Sequence, residues 1–261
     1  MKLIKNLSTA ALLLSLSFGA SAGKLFTVDE DPTDTFGGGS GDLIVADGIS
    51  GNYTEEITIN ADSTFTSLIF ATFNGLTLGG NDVDTAQIGN TVAASGYTLY
   101  ATLTASGSVA ANPFGASLTG FVGDLVLWMD VDSDTDYSFG SGTTNNSDDV
   151  KLGSSSNAQG MGLVSGSGVG FFDILFQEFA LSDNGAAPFD GSDYFVAPSP
   201  FWTRATTIGT IQGLNLQAIP GTQTINGTLD IAFVPEPTSI AILGLALVGF
   251  GATSRKKRLN S

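Results

Sequence analysis

Tyr53-Thr54-Glu55-Glu56-Ile57-Thr58-Ile59 is the stretch that decides the fold class. It sets Tyr53, Ile57 and Ile59 on one face of an extended chain, the period-two pattern of a half-buried β-strand. Asn60-Ala61-Asp62 follows as a turn, and Thr64 to Ala71 as a second strand. The pattern returns at Tyr97 to Thr104, where Tyr97, Leu99, Ala101 and Leu103 alternate with Thr98, Tyr100, Thr102 and Thr104. Phe121 to Val131 and Gly170 to Leu181 are apolar on both sides. They read as central strands covered on both faces, or as strands broken by a bulge. Phe201 to Thr207, Thr210 to Ala218 and Gln223 to Val234 supply further strands, with a turn at Pro220-Gly221. Gly37-Gly38-Gly39-Ser40-Gly41 and the stretch from Ser138 to Ser156 read as exposed loops. Helix propensity is poor nearly everywhere. The expectation is an all-β protein: an antiparallel β-sandwich or jelly-roll-like ectodomain over residues 23–234.

Composition removes whole classes of chemistry. The 261 residues include no cysteine and no histidine. Disulfides, thiol catalysis, thiolate metal sites, His-dependent triads and nearly every zinc site are excluded, because the atoms are missing. Acidic side chains number 25 against 9 basic ones, and six of the nine sit at the extreme ends. Between residues 23 and 234 only Lys24, Lys151 and Arg204 face 24 carboxylates. Such a surface repels nucleic acid and anionic lipid, so no nucleic-acid partner is expected.

The two ends read as addresses. Lys2 and Lys5 precede an apolar run from Ala10 to Phe18, and Ala20 and Ala22 supply the small residues of a cleavage site. Residues 1–22 are therefore expected to be a secretory signal peptide for the Sec translocon, cut after Ala22. At the other end, Thr238 to Ser254 carries no charge. Seventeen helical residues at about 1.5 Å each reach roughly 25 Å, the short end of a membrane span. Arg255, Lys256, Lys257 and Arg258 follow as a cationic stop. The positive-inside rule puts that tail in the cytoplasm and the acidic domain outside. One C-terminal transmembrane helix is expected. Pro235 and Pro237 hold Glu236 in an extended segment just before it.

Val234-Pro235-Glu236-Pro237-Thr238, a short apolar helix and the Arg255–Arg258 cluster together resemble the PEP-CTERM sorting signal, here over residues 235–261 with Val234 before it. The resemblance implies an exported protein of Gram-negative bacteria that make exopolysaccharide. Its processing partner would be an exosortase-like membrane enzyme that reads Pro-Glu-Pro. The precursor would be held transiently in the inner membrane, and the ectodomain released to the cell surface or extracellular matrix. The body is similar to the flocculation-associated PEP-CTERM proteins. The residues concerned are Phe26-Thr27-Val28, Gly51-Asn52-Tyr53-Thr54-Glu55, Gly96-Tyr97-Thr98-Leu99-Tyr100-Ala101, Gly170-Phe171-Phe172-Asp173-Ile174-Leu175-Phe176 and Pro198-Ser199-Pro200-Phe201. That resemblance implies a role in cell aggregation and no enzyme chemistry.

The sharpest local motif is Asp130-Val131-Asp132-Ser133-Asp134-Thr135-Asp136. Alternating carboxylates in a loop can converge on Ca²⁺. An EF-hand frame from Asp130 fails, because Thr135 and Ser141 stand where Gly and Glu are needed. A looser Ca²⁺ site at Asp130, Asp132, Asp134 and Asp136 remains, with Asp148-Asp149 able to approach it. A solvated acidic turn is the bland alternative. Glycan hydrolysis would need two acids about 5–10 Å apart. Glu55 and Glu56 point to opposite faces, and Glu178 has no evident partner and reads as an outward strand residue. Trp128, Tyr137, Tyr194 and Trp202 are candidates for stacking on sugars. The sequence thus points to a non-enzymatic surface or matrix protein that promotes floc or biofilm formation with exopolysaccharide. A secreted carbohydrate-binding module and a glycan hydrolase are the alternatives.

Overall fold

The computed structural model describes residues 24–31, 43–89, 96–183 and 189–234. The chain begins with β1 (Phe26–Asp29), β2 (Leu43–Ala46), β3 (Gly48–Ile59), β4 (Thr64–Leu78) and the short β5 (Asn81–Asp82). Next come β6 (Thr98–Asn112), β7 (Gly115–Val122), β8 (Leu125–Asp130), β9 (Asp136–Ser138), β10 (Gly142–Thr144) and β11 (Val150–Ser165). It ends with β12 (Val169–Leu181), α1 (Gly191–Tyr194), β13 (Phe195–Ala197), β14 (Arg204–Gln212) and β15 (Gly221–Val234).

The long strands form one antiparallel sheet that closes on itself. β7 and β8 share one position, since each pairs with β6 on one side and β11 on the other. The ring then runs β3, β4, β6, β7 with β8, β11, β12, β14, β15 and back to β3. Each ring position neighbours the next one in chain order. The antiparallel all-β expectation holds, and facing strands pack across one core as sandwich layers do. The connectivity is a meander and not the Greek key of a jelly roll. The reason is local: residues 60–63, 113–114, 166–168 and 213–220 are turns short enough to make consecutive strands pair. Those turns all lie at one end of the barrel, and the longer connections lie at the other. Pairing β15 with β3 leaves no open sheet edge between first and last strands.

Alternation fills the inside. In β3, Tyr53, Glu55, Ile57 and Ile59 are buried; in β4, Phe65, Ser67, Ile69, Ala71 and Phe73 are. All eight ring positions contribute to a central void of about 20 Å³, lined by Glu55, Phe65, Ala105, Leu118, Gly162, Phe172, Ile211 and Ile225 among others. Eight strands leave an interior that side chains can fill, and here they nearly do. On β3 and β15 the outer face carries Thr54, Glu56, Thr58, Thr222, Asn226 and Thr228, whereas Met161, Leu163, Phe171 and Ile208 stand exposed on β11, β12 and β14. Phe26, Phe179, Phe195, Phe201 and Phe233 plug the end with the long connections, their linked ring centroids 4.9–6.5 Å apart. β1, β2 and β13 make a small sheet beside that plug.

Several sequence expectations change in detail. Phe201 to Thr207 and Thr210 to Ala218 are not two strands: β14 runs unbroken from Arg204 to Gln212. Gly170 to Leu181 is covered on its inner face only, with Phe171 52% exposed, and it does carry a bulge opposite Ser156. The Ser-rich end of the expected loop, residues 150–156, is the start of β11, because β8 and β12 pair with it from both sides. Among the described residues no helix is long and apolar enough to cross a membrane. The expected signal peptide with Ala20 and Ala22, and the expected transmembrane helix with Arg255 to Arg258, lie outside the described residues.

Candidate functional site

The outward face of the barrel mixes Thr, Ser and Asn with exposed apolar side chains such as Met161, Leu163, Phe171 and Ile208, and it turns aromatic where β4, β6 and β8 meet. There Phe70, Tyr100 and Trp128 form an aromatic ladder. Tyr100 and Trp128 are neighbours across the β6–β8 ladder, nearly parallel, with centroids 6.2 Å apart. Tyr137 of β9 stacks on Phe70 at 4.6 Å and an interplanar angle of 6°. The β9–β10 hairpin thus lies over a patch that would otherwise expose aromatic surface. Phe139 meets Tyr137 edge-on at 5.1 Å.

The acidic motif starts at the last residue of β8, beside this ladder. Asp130 is buried, and its carboxylate accepts from the backbone N–H groups of Asp134 (3.2 Å) and Thr135 (3.0 Å) and from Thr98 Oγ1 (3.3 Å). It therefore shapes the loop as a side-chain cap on the turn. Asp132 and Asp134 are exposed, and with Asp130 they place one carboxylate oxygen each within 4.8 Å of one another. Asp136 is an exposed residue of β9 and does not belong to that trio. Three of the four expected ligands converge. Loss of solvation raises the Asp134 pKa, and the neighbouring Asp132, Asp148 and Asp130 carboxylates add to it. Hard oxygen ligands at this spacing suit Ca²⁺.

Asp149 ties loop to ladder. Its Oδ2 accepts from Tyr100 Oη at 2.5 Å and from Thr135 Oγ1 at 2.9 Å, while Oδ1 is buried without a hydrogen-bond partner. Burial raises the Asp149 pKa, the two donors pull it back, and Asp130 and Asp148 raise it further. Burial and the bond to Asp149 both push the Tyr100 hydroxyl up. Tyr100 was legible only as a bulky residue on an otherwise threonine-lined strand face; its partner 49 residues away was not.

The other singled-out residues separate clearly. Glu178 is exposed at the β12 bulge, with φ +58°, and accepts weakly from Asn157 Nδ2 at 3.4 Å. Glu55 and Glu56 do point to opposite faces, and Glu55 lies at the barrel centre. Tyr194 is fully buried, its ring against Tyr97 and Phe195. Trp202 is half-buried, with Nε1 donating to the Leu25 carbonyl at 3.3 Å. Trp128 borders a sizeable groove.

At the plugged end, Val234 closes β15 opposite Arg204, and the Lys24 N–H donates to the Phe233 carbonyl at 3.0 Å. The two ends of the described chain leave the barrel side by side. The family model of the PEP-CTERM protein-sorting motif matches residues 233–256. The chain carries a PEP-CTERM sorting motif. The motif marks an exported protein whose membrane-anchored precursor is processed by an exosortase-type enzyme. Pro235, Glu236 and Pro237 fall within the matched segment, as do Arg255 and Lys256. No curated protein and no solved structure matches the chain.

Proposed function

We propose that this PEP-CTERM protein is a non-enzymatic cohesive component of the cell surface or extracellular matrix, promoting floc or biofilm formation with exopolysaccharide. The sorting motif over residues 233–256 carries the reading, because it directs the acidic barrel outward. Cohesion then follows from electrostatics. Asp130, Asp132 and Asp134 gather carboxylates on an outer loop, where divalent ions such as Ca²⁺ bridge them to acidic polysaccharide. A strain lacking the protein is expected to aggregate less, and added Ca²⁺ to strengthen aggregation only when the protein is present. Normal aggregation in the deletion strain would overturn the reading. Calorimetry of the purified chain with Ca²⁺ tests the loop: heat and a raised Tm are expected, both lost in Asp132→Asn/Asp134→Asn. Direct carbohydrate binding is the second reading, favoured by the groove beside Trp128.

A further inference from the structure

Beside the acidic loop, Trp128 forms one wall of a groove of about 800 Å³, inside the roughly 300–1,000 Å³ range of small-ligand sites. Asp148, Asp149, Asp183 and Asp190 line it against a single cation, Lys151. Lys151 sits directly across the β8–β11 ladder from Trp128. The wall is fixed before any ligand arrives: Trp128 stacks on Tyr100, whose hydroxyl is held by Asp149. The carboxylates differ in availability. Asp190 Oδ1 is engaged by the Ser192 N–H and hydroxyl in the cap of α1, whereas Asp148 and Asp183 are exposed.

We propose that this groove binds an amine-bearing sugar, a 2-amino-2-deoxyhexose unit with a free ammonium. Three features select it. An indole takes the C–H face of a pyranose ring and attracts an adjacent cation through its quadrupole. Four carboxylates against one amine favour a positive ligand and oppose uronates. The volume of about 800 Å³ exceeds that of a lone ion, so charge alone does not fill the site. This deepens the matrix reading, since it names a polysaccharide unit that the exported barrel meets directly and not through Ca²⁺.

The test uses the full chain in detergent with Trp202→Phe, which leaves Trp128 as the only indole. Oligomers of glucosamine are titrated against N-acetylated and uronate oligomers, by fluorescence and calorimetry. Saturable binding of the free-amine oligomer is expected, with the acetylated one at least tenfold weaker and the uronate silent. Trp128→Ala and Asp148→Asn/Asp183→Asn should each weaken binding at least tenfold. Asp62→Asn/Asp173→Asn, which removes two charges elsewhere, should leave it unchanged. The Asp148/Asp183 pair is exposed, so it reports even if Trp128→Ala fails to fold. Equal binding of acetylated and free oligomers, equal weakening by both charge pairs, or no binding would overturn the proposal. Reduced aggregation of the deletion strain without glucosamine binding would sink the groove and spare the matrix role; binding with normal aggregation would do the reverse.

Discussion

Glu55 is a carboxylic acid in the driest part of the molecule. It is 6% exposed, faces the central void among apolar side chains, and has Ser67 Oγ as its donor at 2.6 Å. Burial pushes its pKa from 4.5 up to about 7, against the opposing pull of the Ser67 bond. Between those two values the folded barrel keeps a proton that the unfolded chain has released. Stability therefore falls as pH rises through that window and levels off above it, by roughly 3 kcal/mol in total. Glu55→Gln keeps the Ser67 hydrogen bond and has nothing to titrate. Denaturant unfolding at pH 4.5 and pH 8 should show the variant gaining stability over the parent only at the higher pH. An equal difference at both would mean that Glu55 is not protonated inside. The alternation around Tyr53 placed this residue inward in principle, yet a charge in the chain gives no hint that it is held neutral.

The strands explain why the chain is rich in both Gly and Phe. A methyl added at Gly227 of β15 would lie 2.5 Å from the Tyr53 ring and 1.8 Å from the Thr210 carbonyl. Gly209 meets Phe172, Gly107 meets Phe65, and Gly153 meets Phe179 at 2.4, 2.8 and 2.6 Å. Large rings are seated against strand glycines, the small-large matching that fills a narrow barrel. Tyr53 is further fixed by donating to the Thr210 carbonyl at 2.8 Å. Gly227→Ala should then cost about 1–3 kcal/mol by overpacking. A drop in the denaturation midpoint checks it, and Tyr53→Phe/Gly227→Ala should do no better, since the ring remains. The same matching limits what could be read from sequence. β3, β4 and β6 announce themselves by apolar residues recurring at alternate positions, interrupted inside only by Glu55 and Ser67. β11 does not, because Gly153, Ser154, Ser155, Asn157 and Gly160 have low strand propensity, and its place is set by β7, β8 and β12. The acidic loop was legible as a carboxylate cluster, since alternation survives in any extended segment. Its clasp by Tyr100 was not, because that contact exists only once the barrel has closed.

The whole molecule has a direction. Short turns occupy one end, where Phe114 is 86% exposed; the plug, the acidic loop, the Trp128 groove and both ends of the described residues, Lys24 and Val234, occupy the other. Phe233, the first residue matched by the sorting motif, is fully buried in the plug, and Val234 is still paired with Arg204. Pro235 follows with no spacer. The matched sorting segment is thus joined in sequence directly to the last barrel strand, and an exosortase-type enzyme acting at Pro235-Glu236-Pro237 would have to work next to the folded plug. Fraying β15 to make room would pull Phe233 from four ring contacts with Phe26, Phe179, Phe195 and Phe201, a loss of a few kcal/mol for a buried aromatic. Access should therefore limit processing. Inserting ten Gly/Ser residues between Val234 and Pro235 gives a flexible tether with an average reach of roughly 15–20 Å. Pulse-chase of precursor to mature chain is expected to run several-fold faster in that variant, with the Tm of the barrel unchanged. An unaltered rate would show that the enzyme works on the junction without hindrance from the fold beside it.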